Sequence, residues 1–351
     1  MRPRRLPPPL RPAPDPMNWR RAGWLATAAL AIAAPSSLVA QAQPATVQPA
    51  LVQPASLEQQ LATIATVSTG KVGIAVIDLT TAREFTAHGR DPFPMASTVK
   101  VAVAAMYLAE VDAGRRSLGK SITLDESMRS GSDGIGKLMP FPGVTLSAGN
   151  LIELMLTVSD NTASDMLIAD LGGPAAVQRW LVRNRVEGIR IDRNIARLVL
   201  DNLGLPMMPG RTAAQTLWAS DPLGEAQRSL AVAAFDADPR DTAQPLAFAH
   251  FLARLDRGEI LRPASRALLF GIMARCHTGG DRIPAGVPAG TPVSHKTGTL
   301  AGISDDVGIV TLADKRRFAI AVFTEGIVDG PARAKVIADA ARAAFATLST
   351  H

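Results

Sequence analysis

The chain has 351 residues, 47% hydrophobic and 19% charged, the balance of a globular protein with room for one large or two modest domains. Its isoelectric point near 10 is set at one end. Of 37 basic and 31 acidic residues, six arginines (2, 4, 5, 11, 20 and 21) and only Asp15 fall within residues 1–42, which leaves 31 and 30, a net charge of +1. That near-neutral remainder excludes nucleic-acid or membrane-surface binding by bulk charge.

The basic end reads as a processing segment. Arg20-Arg21 precedes the apolar run Ala22 to Ala34, and small residues lead to Ala40-Gln41-Ala42, the three regions of a secretory signal peptide. The run is too short for a transmembrane helix, so a periplasmic protein with no membrane span is expected after cleavage. Residues 43–55, rich in Gln, Pro and Ala, read as a tether, and one domain is expected over 56–348. Cys276 is the sole cysteine, so no intrachain disulfide forms despite the oxidising compartment. Its neighbour His277 does not make it a nucleophile, because adjacent residues rarely face each other. The histidines (88, 250, 277, 295, 351) are scattered, none pairs at metal-ligand spacing, and no metal or cofactor is expected.

Ser56 to Val67 has the apolar stripe of a helix, and Lys71 to Leu79 alternates as a strand, with a second short strand at Glu84 to Ala87. Asp91-Pro92-Phe93-Pro94 is a rigid connection. A helix is predicted from Ser97 to about Ala113, ending at Gly114; it is apolar nearly all round and therefore central. Gly131 to Gly136 reads as a surface loop. Helices follow over Ser147 to Val158 and Thr162 to Leu171, separated by Ser159-Asp160-Asn161, and Gly172-Gly173-Pro174 interrupts and restarts helical structure. Residues 186–241 look irregular, with helical pieces at Ala213 to Ala219 and near Glu225 to Phe235. Asp238-Pro239-Arg240-Asp241-Thr242 suggests a salt-bridged neck, with Asp241 or Thr242 capping a helix to Leu255. Pro263 to Cys276 is a further helix. Strands are predicted at Thr291 to Thr297, Asp306 to Leu312 and Arg317 to Thr324, and Gly330 to Leu348 forms a closing helix. Strands at both ends and helices between them imply an α+β protein. The expected layout is one antiparallel sheet from about 56–90 and 260–348, flanked by terminal helices, with a helical part at about 91–259.

Three fragments carry chemistry. In Ser97-Thr98-Val99-Lys100, a serine and a lysine three apart share a helix face. A serine hydroxyl needs an adjacent base to attack, and a lysine kept neutral by burial can be one. A lysine on an all-apolar helix is otherwise hard to account for. Ser159-Asp160-Asn161 taken alone is a capped turn. Lys296-Thr297-Gly298-Thr299 taken alone is the end of a strand. The ordered set S-x-x-K, S-D-N, K-T-G is the one found in class A β-lactamases and penicillin-binding proteins.

From about 56 to 348 the chain resembles the class A serine β-lactamase family. Pro94-Met95-Ala96-Ser97-Thr98 resembles the lead-in to the nucleophile, and 238–242 resembles the neck of the Ω-loop. The resemblance implies a five-stranded antiparallel sheet with a helical insertion. It implies hydrolysis of a β-lactam amide through an acyl-enzyme on Ser97. Lys100 would help deprotonate Ser97, and Ser159 would pass a proton to the leaving nitrogen. Asn161 would hold Lys100 and the substrate side-chain amide, and Lys296 would orient Ser159. Lys296, Thr297, Thr299 and Arg282 would attract the substrate carboxylate, Gly298 would belong to the same substrate-binding strand, and the N–H groups of Ser97 and Thr299 would form the oxyanion hole. The partner implied is a small β-lactam or peptidoglycan-like molecule, met by a monomer. One position departs from the pattern. The glutamate that activates the deacylating water falls on Ile195, and the asparagine after the following leucine falls on Val199. A carboxylate returned by the extra stretch, roughly 200–235, or by its flanks is one expectation, with Glu225, Asp201 and Glu187 as candidates. A DD-peptidase or esterase on the same scaffold, and a binding protein that stays acylated, are the alternatives.

Overall fold

A computed structural model of the protein describes residues 55–66, 70–130, 134–220 and 223–350. The signal-peptide segment, the tether up to 54 and Gly131 to Asp133 lie outside the described residues.

The elements run α1 (Leu57–Thr66), β1 (Lys71–Asp78), β2 (Glu84–Ala87), β3 (Phe93–Pro94), a 3₁₀ turn (Ala96–Thr98), α2 (Val99–Asp112) and β4 (Ser121–Thr123). A 3₁₀ turn at Glu126–Met128 leads to α3 (Ile135–Leu138), β5 (Thr145–Ser147), α4 (Ala148–Thr157), α5 (Asn161–Asp170) and α6 (Pro174–Arg183). Then come α7 (Ile195–Asn202), α8 (Ala213–Ala219), α9 (Glu225–Asp236), β6 (Thr242–Ala243), α10 (Pro245–Arg257), α11 (Pro263–Met273) and α12 (Ile283–Gly286). The chain closes with β7 (Val293–Leu300), β8 (Ile303–Thr311), β9 (Arg317–Glu325) and α13 (Gly330–Leu348).

Five strands form one antiparallel sheet in the order β2-β1-β9-β8-β7, so the first and last parts of the chain pair directly, Lys71 opposite Glu325 and Asp78 opposite Phe318. Period-two alternation gives β1 and β9 two apolar faces. Val72, Ile74 and Val76 of β1, with Phe318, Ile320 and Val322 of β9, pack against Leu57 and Leu61 of α1 and Ile337 and Ala340 of α13. Ala75, Ile77, Ala319, Ala321 and Phe323 face the other way, onto α2 and α10. At Gly73 the approach is so close that a Cβ would come within 2.3 Å of the Phe93 ring, which explains the glycine inside β1. No described helix is long and apolar enough to cross a membrane.

Several boundaries differ from the sequence reading for local reasons. Ser97 lies in the 3₁₀ turn ahead of α2 and does not open the helix itself. β7 runs to Leu300, which places Lys296 to Thr299 inside the strand, where β8 pairs with them from Ser304 to Val307. Residues 186–241 contain a third helix, α7. Helix α10 begins at Pro245 after Gln244, so neither Asp241 nor Thr242 caps it. It lies on the sheet, with Pro245 against Gly73 of β1, although it falls in the stretch assigned to the helical part.

Candidate active site

The segment before Ser97 is held from behind. β3 pairs with β6, Pro94 opposite Thr242, and the Met95 N–H donates to Asp241 O at 3.1 Å. Ala96 then takes a φ of +40°, a conformation a β-carbon disfavours, and it is buried among its neighbours. Gly298 of β7 packs against this turn: a Cβ there would stand 3.0 Å from both Ala96 Cβ and Met95 O. The nucleophile turn and β7 therefore meet backbone to backbone.

Every residue of α2 from Val99 to Leu108 is buried, and Lys100 goes into the core with them, with no exposed surface. A buried ammonium must find acceptors. Lys100 Nζ donates to Ser159 O at 2.7 Å, Ser159 Oγ at 3.1 Å and Asn161 Oδ1 at 2.6 Å. These match the three donors of the group, and among the described residues no hydrogen bond joins it to Ser97 Oγ.

Ser159 connects α4 to α5 with a φ of +60°. Asp160 fixes that bend. One of its oxygens caps α5 at the Ala163 N–H (2.7 Å), and the other accepts from the Ile135 N–H (2.6 Å). Asn161 is thereby placed on the first turn of α5, facing Lys100.

Lys296 is the second fully buried lysine. It stands on the β7 face turned toward the helices, opposite Val307, and donates to Ser159 Oγ at 3.0 Å and to Thr297 O at 2.8 Å. One hydroxyl oxygen thus accepts from two amines belonging to opposite sides of the molecule. Burial, and then the charge of Lys296, hold Lys100 well below the ordinary lysine value. Burial draws Lys296 down to about 8. Two ammonium groups sharing one acceptor in a dry site repel, and the charge of Lys296 favours the neutral form of Lys100.

Ser97, Ser159, Asn161, Thr278, Thr297 and Thr299 line a cavity of about 240 Å³. Thr297 Oγ1 and Thr278 Oγ1 are 2.6 Å apart. Arg282 is buried and braces the strand pair. It donates to Gly298 O and Asp305 O, both at 2.8 Å, and to Thr299 Oγ1 at 2.7 Å. Its guanidinium therefore reaches the cavity through Thr299. A larger cavity of about 520 Å³, rimmed by Arg90, Arg185 and Arg254, holds none of the residues predicted for acylation or substrate binding. Among the described residues no cluster of three or more His, Cys, Asp or Glu could hold a metal ion.

The segment aligned with the Ω-loop closes the other side. Arg193 is buried at its neck and bonds Asp241 Oδ2 through Nε (2.6 Å) and Asp201 through Nη1 (2.8 Å). Asp241 Oδ1 also accepts the N–H groups of Asp192 and Arg193. Ile195 is 2% exposed, and it and Ala196 donate their N–H groups to the two oxygens of Asp165, at 2.7 and 2.9 Å. Asp165 thus caps α7 from another helix. It is fully buried, which pushes its carboxyl up to about 6.

The carboxylates expected to replace the missing glutamate are elsewhere. Asp201 is paired with Arg193 and Arg197, Glu225 is exposed on the first turn of α9, and Glu187 lines the distant arginine-rimmed cavity. None lines the cavity at Ser97. Beside Asn161, Ala196, Val199, Leu200 and Leu217 instead wall a small apolar pocket. Sequence reasoning missed two residues here. Asp165 carried a signal, since it follows Asn161 by one helical turn and shares its face. Thr278 carried none. Cys276 Sγ lies 3.2 Å from Thr278 Oγ1, behind the cavity wall.

Residues 56–348 match the model of the β-lactamase enzyme family. A β-lactamase of Streptomyces albus G is 27% identical over 297 residues, 83% of this chain and 84% of that protein. One from Proteus vulgaris is 28% identical, with 81% and 84% covered. Among solved structures, an ancestral class A β-lactamase superposes with a TM-score of 0.69 at 32% identity, covering 83% of this chain and all of that one. A β-lactamase from Chitinophaga pinensis gives 0.69 at 28% identity, with 83% and 99% covered. The sheet built from both chain ends, the helices carrying Lys100 and Asn161, and a match spanning the whole described domain place this chain in the class A β-lactamase family.

Proposed function

We propose that the protein is a serine hydrolase that opens β-lactam amides through an acyl-enzyme on Ser97. The observation that carries this reading is the convergence of two buried lysines on Ser159 Oγ, at 3.1 and 3.0 Å, beside the cavity that Ser97 lines. Ser97 Oγ attacks the carbonyl carbon and passes its proton to Lys100, which burial keeps neutral enough to accept it. As the C–N bond breaks, the nitrogen takes the Ser159 proton, and Lys100 returns one to Ser159. Lys296, Thr297 and Thr299 receive the substrate carboxylate, with Arg282 acting through Thr299. The N–H groups of Ser97 and Thr299 hold the developing oxyanion. Asn161 holds the side-chain amide. Water then cleaves the ester, releasing the ring-opened acid and free Ser97.

The last step differs from the first in its support. The carboxylate usual for water activation is replaced by Ile195, and apolar side chains line the neighbouring pocket. This observation favours a second reading in which acylation is fast and hydrolysis slow, as in a penicillin-binding protein or DD-peptidase. Secretion to the periplasm by the leader, and a monomeric state, complete the proposal.

Intact mass against time after mixing with a penicillin tests both readings. A transient adduct with continuing ring opening is the expected result. A persistent adduct of the full drug mass selects the second reading. Ser97→Ala abolishes the adduct in either case, and an adduct that survives this substitution refutes the assignment of the nucleophile.

A further inference from the structure

The cavity rimmed by Arg90, Arg185 and Arg254 holds about 520 Å³ against about 240 Å³ at Ser97, and the two share no lining residue. Its floor is apolar: Val186, Leu246 and Phe251 line it and are buried. Its walls are the loop after β2, the turn after α6 and one face of α10. Backbone bonds tie these walls together. The Leu246 N–H donates to Gly89 O and the Gln244 N–H to Gly188 O, both at 2.8 Å. The cleft is therefore formed by the fold itself and does not depend on side chains closing over a ligand.

Four basic side chains line this cleft, and two of them are already used. Arg254 braces the wall, donating through Nη1 to Asn184 O at 2.7 Å and through Nε to Glu259 at 2.9 Å. His250 Nε2 lies 2.9 Å from Glu84 Oε1. Arg90 and Arg185 have no side-chain hydrogen bond or ion pair among the described residues, and neither has Glu187, the acid of the lining. The two uncommitted guanidiniums come from different segments and face one cavity. A guanidinium fork matches a carboxylate or a phosphate, and an apolar floor shields one side of it from water, which strengthens that attraction over the open surface. An apolar hollow with a few convergent polar groups is the usual form of a small-molecule site.

We propose that this cleft is a second binding site, for a small molecule with an apolar body and two acidic groups, carboxylate or phosphate, one taken by Arg90 and the other by Arg185. The body rests on Val186, Leu246 and Phe251. Glu187 repels the ligand and keeps its affinity modest. Such a ligand spans two segments that converge on the nucleophile: Arg90 stands just before β3, and Arg185 stands just before Ile189, which bridges to Ala243 of β6. The site is independent of the β-lactam reading, since none of its residues takes part in acylation.

The test is calorimetric titration of the mature protein with para-phenylenediacetate, hydroquinone bisphosphate and the neutral diamide of the first. A dianion is expected to bind with a dissociation constant of about 1 mM or tighter, and the diamide about tenfold more weakly. The tighter of the two dianions identifies the acidic group the site prefers. Arg90→Ala and Arg185→Gly, each checked by its melting curve, are expected to weaken the dianion by about tenfold, and Glu187→Gln to tighten it. Arg185 has a φ of +55°, which glycine adopts without strain, so that variant keeps its backbone. No binding of either dianion at about 20 mM, well above the affinity expected of a specific site, overturns the proposal. So does equal affinity for the diamide. An affinity unchanged in both folded arginine variants places the anion elsewhere, at the Ser97 cavity for example, and also overturns it. None of these results bears on adduct formation at Ser97, so the β-lactam reading stands or falls separately.

Discussion

Arg193→Ala should destabilise the protein severely, and the size of the loss follows from what Arg193 leaves behind. Its side chain is 4% exposed and that of Asp241 is 1% exposed. Removing the guanidinium strips Asp241 of its bond at 2.6 Å and Asp201 of one at 2.8 Å. It also takes the cation from the Phe235 ring. Asp241 keeps its two backbone N–H donors but becomes a buried carboxylate with no counter-charge. Breaking a buried pair in this way costs about 3–5 kcal/mol, and at roughly 2–4 °C per kcal/mol for a large domain the melting temperature falls by on the order of 10 °C. Asp241→Ala should also destabilise, since it orphans the two N–H groups and the buried Nε of Arg193, although Asp201 and Asp238 still hold Nη1. The double variant should cost clearly less than both losses added, because neither partner is then left alone. Urea unfolding of the four proteins measures this cycle. Single losses under about 1 kcal/mol, or strict additivity, would refute the claim that the neck is a mutually dependent buried pair.

Two further outcomes concern turnover. Ile195→Glu returns a carboxylate to the first position of α7, near the apolar pocket beside Asn161. It should shorten the adduct lifetime at least tenfold if water activation limits turnover, and lower the melting temperature because Ile195 is 2% exposed; an unchanged lifetime in a folded variant would show that deacylation is limited elsewhere. The alkaline limb of kcat/KM should lie near pH 8. Lys296 titrates at about 8, so its charge, present below that pH, is lost above it along with its pull on the substrate carboxylate. The stability change runs the other way. The folded-state value is below the unfolded one, so unfolding binds a proton between about 8 and the ordinary lysine range, and the destabilisation by buried charge is relieved as pH rises through that window. A flat kcat/KM profile from pH 7 to 9 would remove Lys296 from carboxylate recognition.

The sheet was legible because β1 and β9 alternate in two apolar faces, a pattern that local sequence carries. The Lys100 problem was legible too, since a lysine within an all-apolar helix demands an unusual partner. What could not be read was anything set by a residue far along the chain. In α7 the local cap, Asn194, serves only the Arg197 N–H, and the first two N–H groups are taken by Asp165, 30 and 31 residues upstream. The side-chain amide of Asn202 pairs with the backbone of Ala301 in the β7–β8 hairpin, 99 residues away. Asp241 invited a local reading as the cap of the next helix, yet its carboxylate is used by Arg193, 48 residues earlier. Spacing puts Ser97 and Lys100 close together but does not see the hydrogen bonds that draw the amine to Ser159 and Asn161, about 60 residues further along the chain.

Asp241 serves two masters at once. Its carbonyl anchors the strand that delivers Ser97, and its carboxylate clamps the base of the excursion that begins at Arg193. The clamp makes the length of that excursion nearly free. Doubling a flexible loop adds only about 0.6 kcal/mol of closure entropy, well below the roughly 3–5 kcal/mol lost when one member of the buried pair is removed. Helices can therefore be gained, lost or rebuilt between the two clamp residues without moving the nucleophile. The stretch can be rebuilt in evolution as if it were a detachable cassette, provided one aspartate stays where it is.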